Sequence, residues 1–114
     1  MAQLIRDQLD GDGRVSMPGV YDGLSARLAA EAGFPVLFVS GFAVAGTRRA
    51  LPDAGYIGAA EMVETTRAVV AASGLPVIAD ADTGYGNALN ARDVALRLHD
   101  AGAAGLFLED QEWP

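Results

Sequence analysis

The chain has 114 residues, 51% of them hydrophobic, which suffices for one domain with a real core and excludes a disordered chain. Its formal charge of −7, with Arg48 and Arg49 as the only adjacent basic pair, argues against a nucleic-acid partner or an anionic membrane surface. Without cysteine there is neither a disulfide framework nor a thiolate metal site, so any metal must be held by oxygen or by the single histidine, His99.

In chain order, the first segment sets Arg6, Asp7 and Asp10 among its apolar positions, unlike a signal peptide or an anchor, and residues 1–12 are expected to form a helix and linker. Glu31, Pro35, Gly74 and Pro76 break the longest apolar stretches well short of the roughly 20 residues of a membrane-spanning helix. A soluble, cytoplasmic protein is expected. Residues 13–114 then hold four strands and the helices between them.

The passages "LAAEAGFPVLFVSG", "VVAASGLPVIADAD" and "LHDAGAAGLFLED" share one order: a helical segment, a glycine stop, an apolar run, then a polar residue. Gly33, Gly74 and Gly102 suit the left-handed position just past a helix. The runs 36–39, 77–79 and 105–108, with an earlier one at 15–20, are apolar without alternation, as in parallel strands covered on both faces. Helical spacing links Leu24 with Leu28, Met62 with Val69 and Val70, and Val94 with Leu98, Ala91 and Ala101. Asp22 and Asn90 are the expected N-caps. The stretch between Gly41 and Ala59, which contains "LPDAG", has no periodicity and is expected to be a long binding loop or lid.

Alternating βα units give either an open doubly wound sheet or a (β/α)8 barrel. Tyr21 and Asp22, Ser40 and Gly41, Asp80 and Asp82, and Glu109 and Asp110 each follow a strand's last apolar residue, where a barrel would gather them at one mouth. That favours the barrel. A whole barrel takes about 250 residues, so a chain with four strands reads as the first half of a larger protein.

The stretch "ADADTGYGN" places two carboxylates after a strand, one more than a turn requires. A hard divalent cation is one explanation: Asp80 and Asp82 face the same way if the strand runs on through Ala81, whereas a turn there leaves Asp80 as direct ligand and Asp82 acting through water. Glu109 then adds a third carboxylate through water. Loop acids and helix caps are the alternative. Ser40, Gly41 and Phe42 present backbone N–H groups to an anion or form a plain turn. Tyr85 is either poised near a ligand by its flanking glycines or an exposed loop tyrosine. Asp53 is a turn residue or a site acid, and His99 is read as solvent-exposed.

Together "PGVYDGLSARLAAEAGFPVLFVSG", "LPDAG", "VIADADTGYGN" and "GLFLEDQ" resemble the isocitrate lyase and phosphoenolpyruvate mutase superfamily, in particular its small branch of 2-methylisocitrate lyases, dimethylmalate lyases, oxaloacetate decarboxylases and phosphonomutases. The resemblance runs from about Pro18 to Gln111. It implies a (β/α)8 barrel of the phosphoenolpyruvate mutase type, of which this chain holds the first four βα units, together with Mg²⁺ or Mn²⁺ and a small 2-oxo or 2-hydroxy carboxylate. It implies Asp80 as direct metal ligand and substrate contact, and Asp82 and Glu109 as ligands through water. Ser40, Gly41 and Phe42 become the anchor for a carboxylate or phosphonyl group, with Asp53 and Tyr85 beside the substrate.

The implied activity is Mg²⁺-dependent cleavage of a carbon–carbon bond in a 2-hydroxy di- or tricarboxylate, 2-methylisocitrate lyase-like. Phosphonomutase or oxaloacetate decarboxylase chemistry is the alternative, and a truncated, non-catalytic half-barrel is the alternative of another class. A homo-oligomer is expected at full length. Two departures stand out: Phe42 replaces a glycine common in the lyases, and the lyases' Lys-Arg-Cys-Gly-His segment has no counterpart before Pro114.

Overall fold

A computed structural model describes residues 1–11 and 14–112. Its elements are α1 (Ala2–Asp10), β1 (Gly19–Val20), α2 (Gly23–Glu31), β2 (Leu37–Val39), α3 (Gly41–Arg49), α4 (Ala59–Ser73), β3 (Val77–Asp80), α5 (Ala88–Asp100) and β4 (Gly105–Phe107). The strands form one parallel sheet in the order β1-β2-β3-β4. Val20, Val39, Ala79 and Leu106 lie across from one another in register. Sequential order and parallel pairing bring all four strand C-termini to one side.

Leu37, Val39, Val77 and Ala79 are fully buried against the helices, whose Ala26, Val44, Met62, Val69, Val94 and Leu98 are equally covered. Burying each larger aliphatic contributes about 1.5–3 kcal/mol, so this layer dominates the stability. The opposite face carries Phe38, Ile78 and Phe107; the two phenylalanine rings meet edge-on, with centroids 5.4 Å apart. Phe107 stays 45% exposed.

Several expectations are met and others corrected. Gly33, Gly74 and Gly102 all have positive φ. Asp22 caps α2, accepting from the Ser25 N–H at 2.7 Å while Ser25 Oγ accepts from the Asp22 N–H. The first strand is shorter than 15–20: Pro18 has no N–H to extend the ladder, and regular pairing begins at Gly19. The leucine pair of α2 does not form its packing face, since Leu24 is 68% and Leu28 58% exposed. That helix packs through small residues instead. A Cβ on Gly23 would come 3.4 Å from that of Ala72 in α4, and Ala26 is completely buried.

The expected loop from Gly41 to Ala59 begins with a helix, α3. Ser40 caps it, Val44 and Ala45 are buried, and Arg48 and Arg49 in its last turn offset the carbonyl end of the dipole. Gly41, Gly46 and Thr47 lower its intrinsic propensity, which is why packing rather than local preference forms it. The loop proper covers 50–58. The stop is Ala50, left-handed at φ 53°. No helix among the described residues is long and apolar enough to cross a membrane.

Candidate functional site

Asp80 is the last residue of β3 and pairs with Phe107 of β4. The strand's alternation keeps Ala79 and Ala81 buried among the helices and turns Asp80 to the opposite face. One carboxylate oxygen, Oδ2, accepts the Gly41 N–H at 2.9 Å, and the other, Oδ1, accepts the Asp82 N–H at 3.0 Å. Two backbone donors, one at the start of α3 and one in the turn after β3, thereby fix the side chain. Glycine is required for the first: a Cβ on Gly41 would stand 2.9 Å from Asp80 Oδ2 and 3.6 Å from Asp82 Oδ1. Both carboxylates therefore flank the amino end of α3, whose free N–H groups favour negative charge.

After Asp80 the chain turns rather than continuing straight. Ala81 still donates to the Phe107 carbonyl at 2.9 Å, but Asp82 has φ 44° and Tyr85 φ 58°, both left-handed. Gly84, at φ 92°, lies so close to α5 that a Cβ would fall 2.5 Å from that of Ala91. The turn is anchored at its far end by a reciprocal cap. Asn87 Oδ1 accepts from the N–H groups of Leu89 and Asn90, and Asn90 Oδ1 accepts the Asn87 N–H at 2.9 Å. The N-cap of α5 is therefore Asn87, with Asn90 three residues on as its partner, and not Asn90 itself. The polar pair at that spacing was the signal for it.

Burial, and next the Asp80 charge, raise the Asp82 carboxyl from its ordinary 3.8 to about 6; Tyr85 offsets part of this, and Asp53 and Glu109 add to it. Burial also pushes the Tyr85 phenol well above its usual value, with the Asp82 charge as the next cause. Tyr85 therefore keeps its proton and can donate it in a hydrogen bond. Its hydroxyl oxygen is buried and closes no hydrogen bond, although it lies beside Asp82. Asp53, on the loop 50–58, is raised by partial burial and by Asp80.

Ser40 Oγ accepts the Ala43 N–H at 3.4 Å, so it serves as the helix cap and keeps its own proton for another acceptor. The Gly41 N–H is committed to Asp80; that of Phe42 has no acceptor within the helix. The Phe42 ring is 68% exposed. Glu109 donates its N–H to the Asp82 carbonyl at 2.8 Å, but its exposed carboxylate accepts from the Gln111 amide. His99 is exposed on α5, as expected. Ser40, Gly41, Asp53, Asp80, Asp82 and Tyr85 thus surround one place, with Glu109 joined to it through its main chain. A hollow of about 580 Å³ lies beside it, lined by Gly55, Ile57 and Gly58 of one loop and Asp82, Thr83 and Tyr85 of the other, with Ser40, Gly41, Asp53 and Asp80 outside its lining.

Among the described residues no three acidic or histidine side chains converge on one point as joint metal ligands. The donors are all oxygen, however, and Asp80 presents a carboxylate already oriented by two N–H groups. That suits Mg²⁺, which takes one or two carboxylates directly and keeps several waters. A half-buried, charge-crowded Asp82 beside it would be relieved by a cation.

Four parallel strands alternating with helices, with acids and a capped helix N-terminus at the strands' C-terminal ends, are the first four βα units of a (β/α)8 barrel. The phosphoenolpyruvate phosphomutase family model matches residues 5–113, and the chain belongs to that family. It is 49% identical over 107 residues to a chloroplastic carboxyvinyl-carboxyphosphonate phosphorylmutase from Arabidopsis thaliana, covering 93% of this chain and 32% of the relative. It is 42% identical over 100 residues to a 2-methylisocitrate lyase from Bacillus subtilis (strain 168), covering 88% and 33%. Phosphonopyruvate hydrolase in complex with oxalate and Mg²⁺ superposes with a TM-score of 0.90 at 36% identity, covering 99% of this chain and 40% of that one. The chain spans about a third of the length of the curated relatives it matches.

Proposed function

We propose that the protein is a divalent-metal-dependent enzyme of 2-oxo-acid chemistry, a carbon–carbon lyase that cleaves a 2-hydroxy di- or tricarboxylate of the 2-methylisocitrate kind. The observation that carries this reading is the Asp80 carboxylate, pinned by the N–H groups of Gly41 and Asp82 at the mouth of the sheet. Asp80, with Asp82 and Glu109 through water, would hold a Mg²⁺ or Mn²⁺ ion, which would supply positive charge to offset a developing enolate. Ser40 Oγ–H and the Phe42 N–H anchor a substrate carboxylate at the start of α3. Tyr85, protonated throughout, donates towards the same oxyanion. Asp53 faces the substrate from the loop 50–58.

The 49% identity to a phosphonomutase supports a second reading, cleavage of a phosphorus–carbon bond beside the same kind of enolate. We assign a cytoplasmic location and assembly into a homo-oligomer. Incubation of the complete enzyme with Mg²⁺ and 2-methylisocitrate is expected to release pyruvate. Turnover of phosphonopyruvate in its place would transfer the assignment to the mutase branch, and no turnover of either, or of oxaloacetate, would refute both.

Tyr85→Phe separates stability from chemistry. Removing the hydroxyl takes a donor from beside the Asp82 carboxylate, so the unfolding free energy is expected to fall by up to about 1 kcal/mol, while turnover falls by roughly 10²-fold with the loss of an oxyanion donor. Denaturant melts and steady-state kinetics on one preparation check the two losses.

A further inference from the structure

The loop 50–58 carries Asp53 to the carboxylate cluster, yet little of the loop itself packs. Leu51 and Tyr56 are exposed, and Ile57 is its one buried side chain. One side chain outside the loop joins its two ends. Glu61, in the first turn of α4, accepts Arg49 Nε and Nη2 on Oε1 at 3.1 and 2.7 Å. Its other oxygen, Oε2, accepts the Gly58 N–H at 2.9 Å. Arg49 is the last residue of α3 and Gly58 the residue before α4, so one carboxylate spans the loop's entrance and exit. Arg48 runs alongside, with Nη2 on Glu64 Oε2 at 2.8 Å, bracing α3 to α4 a turn further on.

An Arg–carboxylate pair on a well-exposed surface does little for stability. Glu61 differs in that its side chain is only 24% exposed and both oxygens are engaged, one by a guanidinium fork and one by a backbone donor. Closing a loop at both ends restricts the conformations open to everything it carries. We propose that Glu61 is a positioning residue: by tying Arg49 to Gly58 it closes the loop that carries Asp53. The proposal rests on the enzymatic reading only in that Asp53 then serves the substrate.

The test compares wild type, Glu61→Ala, Arg49→Ala and Glu61→Gln by hydrogen exchange of the hydrogen-bonded amides of Leu51, Ala54 and Gly58, together with Mn²⁺ binding. Opening the clasp is expected to speed exchange in this segment by at least about tenfold, the factor for losing one hydrogen bond to a charged group, with α5 and the strands unchanged. Glu61→Gln, which still offers Gly58 an acceptor, is expected to lie between, and this guards against misreading a Glu61→Ala variant that frays α4. Because Asp53 adds negative charge beside the ion, Glu61→Ala and Asp53→Asn are expected to weaken Mn²⁺ binding in the same direction. Their double variant should weaken it no further than Asp53→Asn alone. Unchanged loop exchange overturns the proposal, as does full additivity of the two substitutions. A wild type that binds no Mn²⁺ and turns over no substrate defeats the enzymatic reading, and the exchange rates still decide whether the clasp exists.

Discussion

Asp80→Ala is expected to remove metal-dependent turnover by at least about a hundredfold and to destabilise the fold as well. Both oxygens of Asp80 accept backbone N–H groups, from Gly41 at the start of α3 and from Asp82 in the turn after β3. Alanine leaves both half-buried donors without a partner, at about 1–3 kcal/mol each. Part of that is recovered, because Asp80 is the second cause of the raised Asp82 carboxyl and the second cause of the raised Asp53. A net loss of about 1–3 kcal/mol is the expected balance. Asn at the same position is no remedy: an amide has one oxygen, so either Gly41 or Asp82 would face an NH₂ group, donor against donor. Denaturant titration and calorimetric Mn²⁺ binding on Asp80→Ala and Asp80→Asn check this, and an Asp80→Ala protein as stable as wild type would mean that the two N–H bonds carry no weight in the fold.

What the sequence disclosed follows from how local the governing physics is. Glycine past a helix end and apolar runs without alternation are local signals, and they located β2, β3 and β4 and three left-handed positions to within a residue. The convergence of Ser40, Asp80 and Asp82 was legible because parallel strands in sequential order can end only on one side. Helix α3 was hidden because Gly41 and Gly46 suppress the local preference, and Gly41 is dictated by a contact 39 residues away, with Asp80. The face of α2 was misjudged because leucines at helical spacing usually mark the core. Here the close approach to α4 admits only Gly23 and Ala26, which leaves Leu24 and Leu28 outside. The clasp at Glu61 joins groups from the end of one helix and the start of the next, so no periodicity announces it.

The choice at Ala81 between a continuing strand and a turn could not be made from spacing, and it decides how the acids act. The chain turns there, and the main chain of Asp82 becomes part of the site's frame: its N–H holds Asp80 and its carbonyl accepts from Glu109. Its side chain is left half-buried among acids. A carboxyl group in that position opposes the fold when ionised, and serves only when a cation or a proton is present.

Asp82→Asn is therefore expected to stabilise the metal-free protein while weakening its metal binding. Wild-type Asp82 has a folded value of about 6 against an ordinary 3.8. Above pH 6 it is ionised in both states and the folded state bears the cost; below pH 4 it is protonated in both and the cost is absent. Between these limits the folded chain binds the extra proton, so stability from this group rises as pH falls. Allowing for water's screening of a half-exposed carboxylate, the effect is about 1–2 kcal/mol. Asparagine removes the charge and tolerates the left-handed φ of 44° at this position better than most residues. At pH 7 the variant should melt higher, at roughly 2–4 °C per kcal/mol for a whole barrel of about 250 residues, and the difference from wild type should vanish near pH 4. Adding Mn²⁺ at pH 7 should reverse the order, because the ion stabilises the folded wild type by mass action and the variant much less. Thermal melts across pH 4–8, with and without Mn²⁺, decide it: a variant no more stable than wild type at pH 7 would show that Asp82 is not strained, and one that Mn²⁺ stabilises equally would remove Asp82 from the metal site.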